Sequence, residues 1–239
     1  MAAVAGTPLI ETYGLTLHFG GLKAVDGVDF TLRPGEIHAL IGPNGAGKTT
    51  FVSLLSGRRL PQSGTIRLAG EDITRLPAHA RVRKGIAYTF QITSIFPRLT
   101  VFDNVALAVQ SQGTRDLPAR TRAALARVGL EGLEAQEAQT LAYGHQRLLE
   151  LAMGLALHPR VLILDEPTQG LAASEIEGFK TLVRGLVPQT TVLLIEHNME
   201  VVMDIATRIT VLNFGQVLAT GTPVEIRANP AVQEAYLGA

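Results

Sequence analysis

The chain is predicted to fold as an α/β protein organised around a phosphate-binding loop. Three features carry that expectation. The run GPNGAGKTT, Gly42 to Thr50, fits the pattern G-x-x-x-x-G-K-[ST] without a mismatch. An apolar strand pattern, Ile37 to Ile41, leads into it, and a helical pattern, Thr49 to Ser56, leads out. From Val161 onward strand and helix patterns alternate, which argues for a parallel sheet.

From Leu9 to about Phe90, apolar and β-branched runs are separated by Gly and Pro turns. Val28 to Leu32 precedes Pro34-Gly35, and Thr65 to Leu68 precedes Gly70. This reads as a β-rich layer around the loop. From about Ile92 to Leu157 the pattern turns helical. Val101 to Val109 and the Ala/Arg-rich Ala119 to Val128 carry apolar residues at helical spacing. Gln146 to Leu157 places Leu148, Leu151, Ala152 and Leu155 on one face. Next come a strand at Val161 to Leu164, a helix at Ser174 to Leu186, a strand at Val192 to Ile195 and a helix at Met199 to Ala206. Ile209 to Leu212, Gly215 and Val217 to Ala219 read as a hairpin. Thr222 as N-cap and Pro223 in the first turn open a short helix. Residues 1–239 are expected to form one domain, with no internal repeat or long linker.

The 239 residues include 21 basic and 21 acidic side chains, for a formal net charge of zero. No overall basic field is present to hold nucleic acid, so DNA or RNA partners are not expected. Cysteine is absent, which excludes disulfides and thiolate metal sites and fits a reducing compartment. The start, MAAVAGTPLIET, does not read as a secretion signal. Apolar runs such as Val161 to Leu164 fall far short of the roughly 18 residues needed to cross a bilayer, so no span is expected.

The loop's chemistry follows from its residues. Gly42, Gly45 and Gly47 let the backbone curl and aim N–H groups at phosphate oxygens. The following helix turns the positive end of its dipole toward the same anion. Lys48 can neutralise the outer phosphates, and the Thr49 hydroxyl can ligate Mg²⁺. A second motif, VLILDEP from Val161 to Pro167, ends an apolar strand in two carboxylates. If that strand lies beside the loop's strand, Asp165 can hold Mg²⁺ through water and Glu166 can act as general base toward an attacking water. A helix starting near Gly144 offers bare N–H groups to an anion.

Phosphate loop, LAYGHQR (Leu141 to Arg147) and LDEP occur in that order. The chain thus resembles the nucleotide-binding subunits of ATP-binding cassette (ABC) transporters over nearly its whole length. The resemblance implies a P-loop NTPase of the ABC-cassette type, with a RecA-like core, an antiparallel β subdomain and an α-helical subdomain. The approximate extents would be 9–90 for the β-rich part with the P-loop, 92–157 for the helical subdomain with the signature, and 158–239 for the continuation of the RecA-like core and the C-terminal hairpin and helix. It implies ATP hydrolysis with Mg²⁺, by two cassettes paired head to tail. Each ATP would sit between the loop of one cassette (Gly42, Pro43, Asn44, Gly45, Ala46, Gly47, Lys48, Thr49, Thr50) and the signature of the other (Tyr143, Gly144, His145). The family signature Leu-Ser-Gly-Gly-Gln aligns with Leu141 to His145, so its Ser is Ala142 here. Gln91 matches the glutamine that ligates metal and positions water. His197 matches the switch histidine that orients Glu166 and reaches the γ-phosphate. Phe19 matches the aromatic that stacks on adenine, with Val25 assigned to the same surroundings. Ala172 stands where many cassettes carry Asp.

FGGLKAVDGVDF, EPTQGL and EHNMEVVM resemble importers for branched-chain amino acids, with urea and short-amide importers as close relatives. That implies integral-membrane permeases as partners, an extracytoplasmic binding protein indirectly, and a place on the cytoplasmic face of the membrane. Ile92 to Leu99 would floor the permease groove, with Ile95, Phe96 and Leu99 exposed in a lone subunit. A soluble ATP-dependent clamp is the alternative, favoured by Ala142 and Ala172 and opposed by Lys48, Asp165, Glu166 and His197.

Overall fold

The computed structural model describes residues 7–89, 94–113 and 116–237. The chain begins with β1 (Ile10–Phe19), β2 (Leu22–Leu32) and β3 (Ile37–Ile41), and α1 (Lys48–Leu55) starts directly from the phosphate loop. Then come β4 (Ser63–Leu68), β5 (Glu71–Asp72), α2 (Ala78–Arg83) and β6 (Ile86–Thr89). A helical stretch follows: α3 (Val101–Gln110), α4 (Leu117–Arg127) and α5 (Tyr143–Ala156). The chain then alternates through β7 (Val161–Asp165), α6 (Ala173–Leu186), β8 (Thr191–Ile195) and α7 (Met199–Ile205). It closes with β9 (Arg208–Asn213), β10 (Gln216–Gly221), α8 (Pro223–Ala228) and α9 (Pro230–Leu237).

Two sheets organise these elements. An antiparallel sheet runs β2-β1-β4-β5, and a six-stranded sheet runs β10-β9-β3-β8-β7-β6. In the larger sheet β6, β7, β8, β3 and β9 are parallel, and β10 returns antiparallel as a hairpin. Because its parallel strands are covered on both faces, β3, β7 and β8 are buried at every position. That is why they read as continuous apolar runs without alternation. The alternation reappears in what each side chain meets. Leu162 and Leu164 of β7 join the core under α3, α4 and α5, while Val161 and Ile163 join the core shared by α1 and the antiparallel sheet. A third core packs Ala39, Ile41, Ile209 and Val211 against Val202 and Ile226.

This order corrects one expectation. The strand ending in Asp165 does not lie beside the phosphate-loop strand; β8 separates them, pairing with β3 on one side and β7 on the other. Parallel crossover connections allow a strand to be inserted between two others, and the apolar pattern of each strand is indifferent to which neighbour it has. The consequence is favourable for a site: the loops after β3, β8 and β7 all emerge at one edge, side by side, which is where α/β sheets bind ligands.

Candidate active site

The phosphate loop is built from its glycines. Gly42 and Gly47 adopt left-handed φ values of 152° and 100°. A Cβ at Gly42 would overlap the Leu212 carbonyl oxygen, and one at Gly47 the Ala24 carbonyl oxygen. Here only glycine fits. The β9–β10 turn backs the loop, with Gly215 N–H donating to Ala46 O at 3.0 Å and Asp26 N–H donating to Gly215 O at 2.9 Å. The result is a cleft of about 350 Å³ lined by Phe19, Ala24, Asn44 to Thr50, Glu166 and His197, with Leu22 at its rim.

Lys48 begins α1 and is almost wholly buried. Its ammonium donates to the carbonyls of Gly42 at 2.6 Å and Pro43 at 3.0 Å. Burial lowers its pKa, while the Glu166 and Asp165 carboxylates pull it back up. Across the cleft His197 Nε2 lies 2.7 Å from Glu166 Oε1. Glu166 holds a left-handed backbone, φ 48°, without being glycine. Such a residue costs about 1–2 kcal/mol. It is held there by its N–H donating to Ile195 O at 2.8 Å and by the His197 pair. Strain of this kind gathers where a side chain must be aimed.

Asp165 ends β7 and is 2% exposed. Burial raises its pKa, and the Tyr88 hydroxyl, donating to Oδ2 at 2.6 Å, works against that rise. The Arg58 guanidinium lies 5.1 Å from the Tyr88 ring centre and also favours the charged carboxylate. The buried Asp165 carboxylate and the exposed Thr49 hydroxyl are oxygen donors, Thr49 lining the cleft and Asp165 lying outside its lining. Such donors suit Mg²⁺, which keeps several waters and takes phosphate oxygens as further ligands.

Phe19, Asn44, Gly45, Ala46, Gly47, Lys48, Thr49, Thr50, Glu166 and His197 line the cleft. Val25 does not. It is fully buried beside Val28 and Phe51, and its neighbour Ala24 faces the cleft instead, because successive strand residues point to opposite faces. Gln91 and Ile92 lie outside the described residues. Phe96 is half exposed, whereas Ile95 packs against the helical core and Leu99 is partly buried.

The signature residues sit apart from the cleft. Gly144 and His145 line a separate cavity of about 390 Å³ between α5 and α6. The Ala142 N-cap offers no side-chain cap to α5. Tyr143 is 45% exposed and receives a hydrogen bond from Arg147 Nε at 3.1 Å. A Cβ at Gly144 would overlap Glu175 Oε1, so any larger residue there would require the Glu175 carboxylate to swing away. Glu175 in turn accepts from Ala172 N–H at 2.7 Å, so the loop after Glu166 is seated against the first turn of α5.

Sequence reasoning missed Tyr88, Glu175 and Glu196. Tyr88 stands in the YTFQ run but meets Asp165 only through the β6–β7 pairing. Glu196 precedes His197 and gave no signal beyond being an acid at a strand end.

The ABC transporter family model matches residues 25–169, and a model for the branched-chain amino acid ATP-binding cassette transporter matches residues 216–239. The chain is 42% identical to the high-affinity branched-chain amino acid transport ATP-binding protein BraF of Pseudomonas aeruginosa, over 97% of this chain and 98% of the relative. It is 42% identical to LivG of Escherichia coli, a protein of the same description, with the same coverage. A solved nucleotide-free ATP-binding cassette from an ABC transporter superposes with TM-score 0.87 at 26% identity, over 97% of this chain and 100% of that one. The chain belongs to the ATP-binding ATPase subunits of ABC transporters.

Proposed function

We propose that this subunit powers import of branched-chain amino acids or related amino acids and amides, by hydrolysing Mg²⁺-ATP between two paired cassettes. The observation that carries the catalytic part is the Glu166–His197 pair at the mouth of the phosphate-loop cleft. In this reading the loop amides and Lys48 hold the β- and γ-phosphates, and Phe19 stacks on adenine. Thr49, Asp165 and Gln91 would hold the metal, which supplies charge neutralisation on the phosphate oxygens when bound. Glu166 takes a proton from the attacking water, and His197 fixes the Glu166 carboxylate and donates toward the γ-phosphate. Tyr143, Gly144 and His145 face the ATP of the partner cassette, which accounts for their distance from this chain's own cleft.

The import reading rests on the 42% identity to two branched-chain amino acid transport ATP-binding proteins and on the matched C-terminal segment. Among the described residues no helix is long and apolar enough to cross a membrane. Integral-membrane permeases would therefore supply the path, the subunit would bind them at the cytoplasmic face, and an extracytoplasmic binding protein would act through them.

Two measurements test the proposal. Glu166→Gln should cut steady-state hydrolysis by roughly 100-fold or more while leaving ATP binding in place. Retained hydrolysis would remove the base assignment. Tagged protein drawn from gently solubilised host membranes should bring permeases with it. Recovery of soluble partners alone would replace the transporter motor with an ATP-dependent clamp.

A further inference from the structure

The segments after β7 and after β8 carry Glu166 and His197, and one side chain joins them. Glu196 is 4% exposed. Its Oε1 accepts from Thr168 N–H at 3.0 Å and from the Thr168 hydroxyl. Its Oε2 accepts from His197 N–H at 2.9 Å and from Asn198 N–H at 3.0 Å. Thr168, itself 5% exposed, stands two residues beyond Glu166. Neighbouring backbone completes the seam, with Glu166 N–H donating to Ile195 O.

We propose that Glu196 is a positioning residue for hydrolysis: its carboxylate clamps the Thr168 turn to the His197 turn and so sets the Glu166–His197 pair. This rests on the reading of that pair as the hydrolytic machinery. The geometry argues for a carboxylate and nothing else. All four groups it meets are donors, so the side chain must present acceptors at both oxygens. Charged acceptors make these bonds about twice as strong as neutral ones, which suits a clamp holding a left-handed Glu166. A glutamine keeps the shape but sets an NH₂ against one pair of donors. Either the Thr168 turn or the His197 turn must then move away. The clamp also reaches farther. The turn that begins at Thr168 runs on to Gly170, which packs on the Tyr143 ring, and to Glu175 against Gly144. A shift at Glu196 is thus felt at both the cleft and the signature helix of one chain.

The test uses the full chain with four variants: Glu196→Gln, Thr168→Val, Thr168→Ser and, as reference, Glu166→Gln. Turnover at saturating Mg²⁺-ATP and the Kd of a fluorescent ATP analogue are measured on each. A misplaced catalytic pair loses rate steeply, so Glu196→Gln should lower kcat roughly tenfold or more with Kd changed less than about twofold. Thr168→Val, which removes only the hydroxyl, should lower kcat several-fold, and Thr168→Ser should restore it. Wild-type turnover in both Glu196→Gln and Thr168→Val overturns the inference. So does a fall in kcat matched by an equal loss of ATP binding, which marks a merely structural role. If Glu196→Gln does not fold, the Val and Ser pair decides alone. Full hydrolysis in Glu166→Gln would instead sink the underlying reading of the pair, so the two failures are separable.

Discussion

His38 shows how a single buried residue ties stability to pH. It lies in β3 with no exposure, its Nδ1 3.0 Å from Glu36 Oε1 and its Nε2 2.8 Å from the Thr210 hydroxyl. Burial lowers its pKa below the ordinary 6.5, outweighing the upward pull of Glu36. The unfolded chain therefore takes up a proton near pH 6.5 that the folded chain takes up only at lower pH. Above that value His38 adds no pH dependence. Below it, stability falls by up to about 1.4 kcal/mol per pH unit until the folded pKa is reached. His38→Gln should lower stability at neutral pH yet flatten the decline between pH 6.5 and 5.5, read by denaturant melts at both values. An unchanged slope would remove His38 from the account. At this same scale the sequence was legible where chemistry is contiguous. Gly42 to Thr50 and Asp165-Glu166 stand out because their motifs are runs of adjacent residues. Glu196 and Tyr88 stayed hidden because their partners, Thr168 and Asp165, come to them through strand pairing. Val25 is buried while its neighbour Ala24 lines the cleft, since one position along a strand means the opposite face.

Among the elements, α1 is the one on which the phosphate site stands, and its far end is closed in an unusual way. Arg81, from α2, has no exposure and donates to the carbonyls of Leu54 at 2.6 Å and Leu55 at 2.9 Å, the last turn of α1. It donates also to Thr74 O and Leu76 O, each at 2.9 Å. A cation there complements the negative end of the helix dipole while satisfying carbonyls the helix cannot. Burial lowers the Arg81 pKa to about 10, still well above neutrality, so the charge persists. Arg81→Met takes their donor from the Leu55, Thr74 and Leu76 carbonyls and leaves Leu54 O with the Gly57 N–H at 3.2 Å, at about 1–3 kcal/mol for each group that is left unpaired and that water cannot reach. We expect a loss of about 3 kcal/mol or more by chemical denaturation, with little recovery in Arg81→Lys, whose three protons cannot span four acceptors. A loss below about 1 kcal/mol would show that water replaces the guanidinium. The helix α3 and the strands β7 and β8 were readable within a residue, set by periodicity or unbroken apolar runs, whereas the long β2 was read only over its last five residues and β1 not as a bounded strand. The helix α2 carries too few turns to show a period, and the order of the strands leaves no trace in any one strand's sequence.

For the whole molecule, the decisive fact is that the phosphate-loop cleft and the signature turn of α5 occupy separate places in one chain. Motif order alone implied this only by resemblance; in the fold the two line different cavities, as the proposed pairing with a second cassette requires. If so, Ala142 governs how tightly the pair closes. As the N-cap of α5 it presents a methyl where the family's serine presents a hydroxyl. A hydrogen bond to a charged phosphate is worth about 1.5–3 kcal/mol. Ala142→Ser should therefore tighten ATP-driven dimerisation roughly tenfold for each 1.4 kcal/mol gained, measured by sedimentation in a Glu166→Gln background that retains ATP. The same substitution supplies an N-cap worth about 0.5–2 kcal/mol to the isolated helix, which would raise stability without nucleotide. The two effects separate cleanly, because capping is present in the monomer and phosphate binding only with ATP and a partner. A gain in melting temperature without a gain in dimerisation would place the hydroxyl on α5 itself and leave the pairing to the backbone amides of Gly144 and His145. A gain in dimerisation dependent on ATP would mean that this chain closes more loosely than a serine-bearing cassette, and that its opening needs less of the energy of hydrolysis.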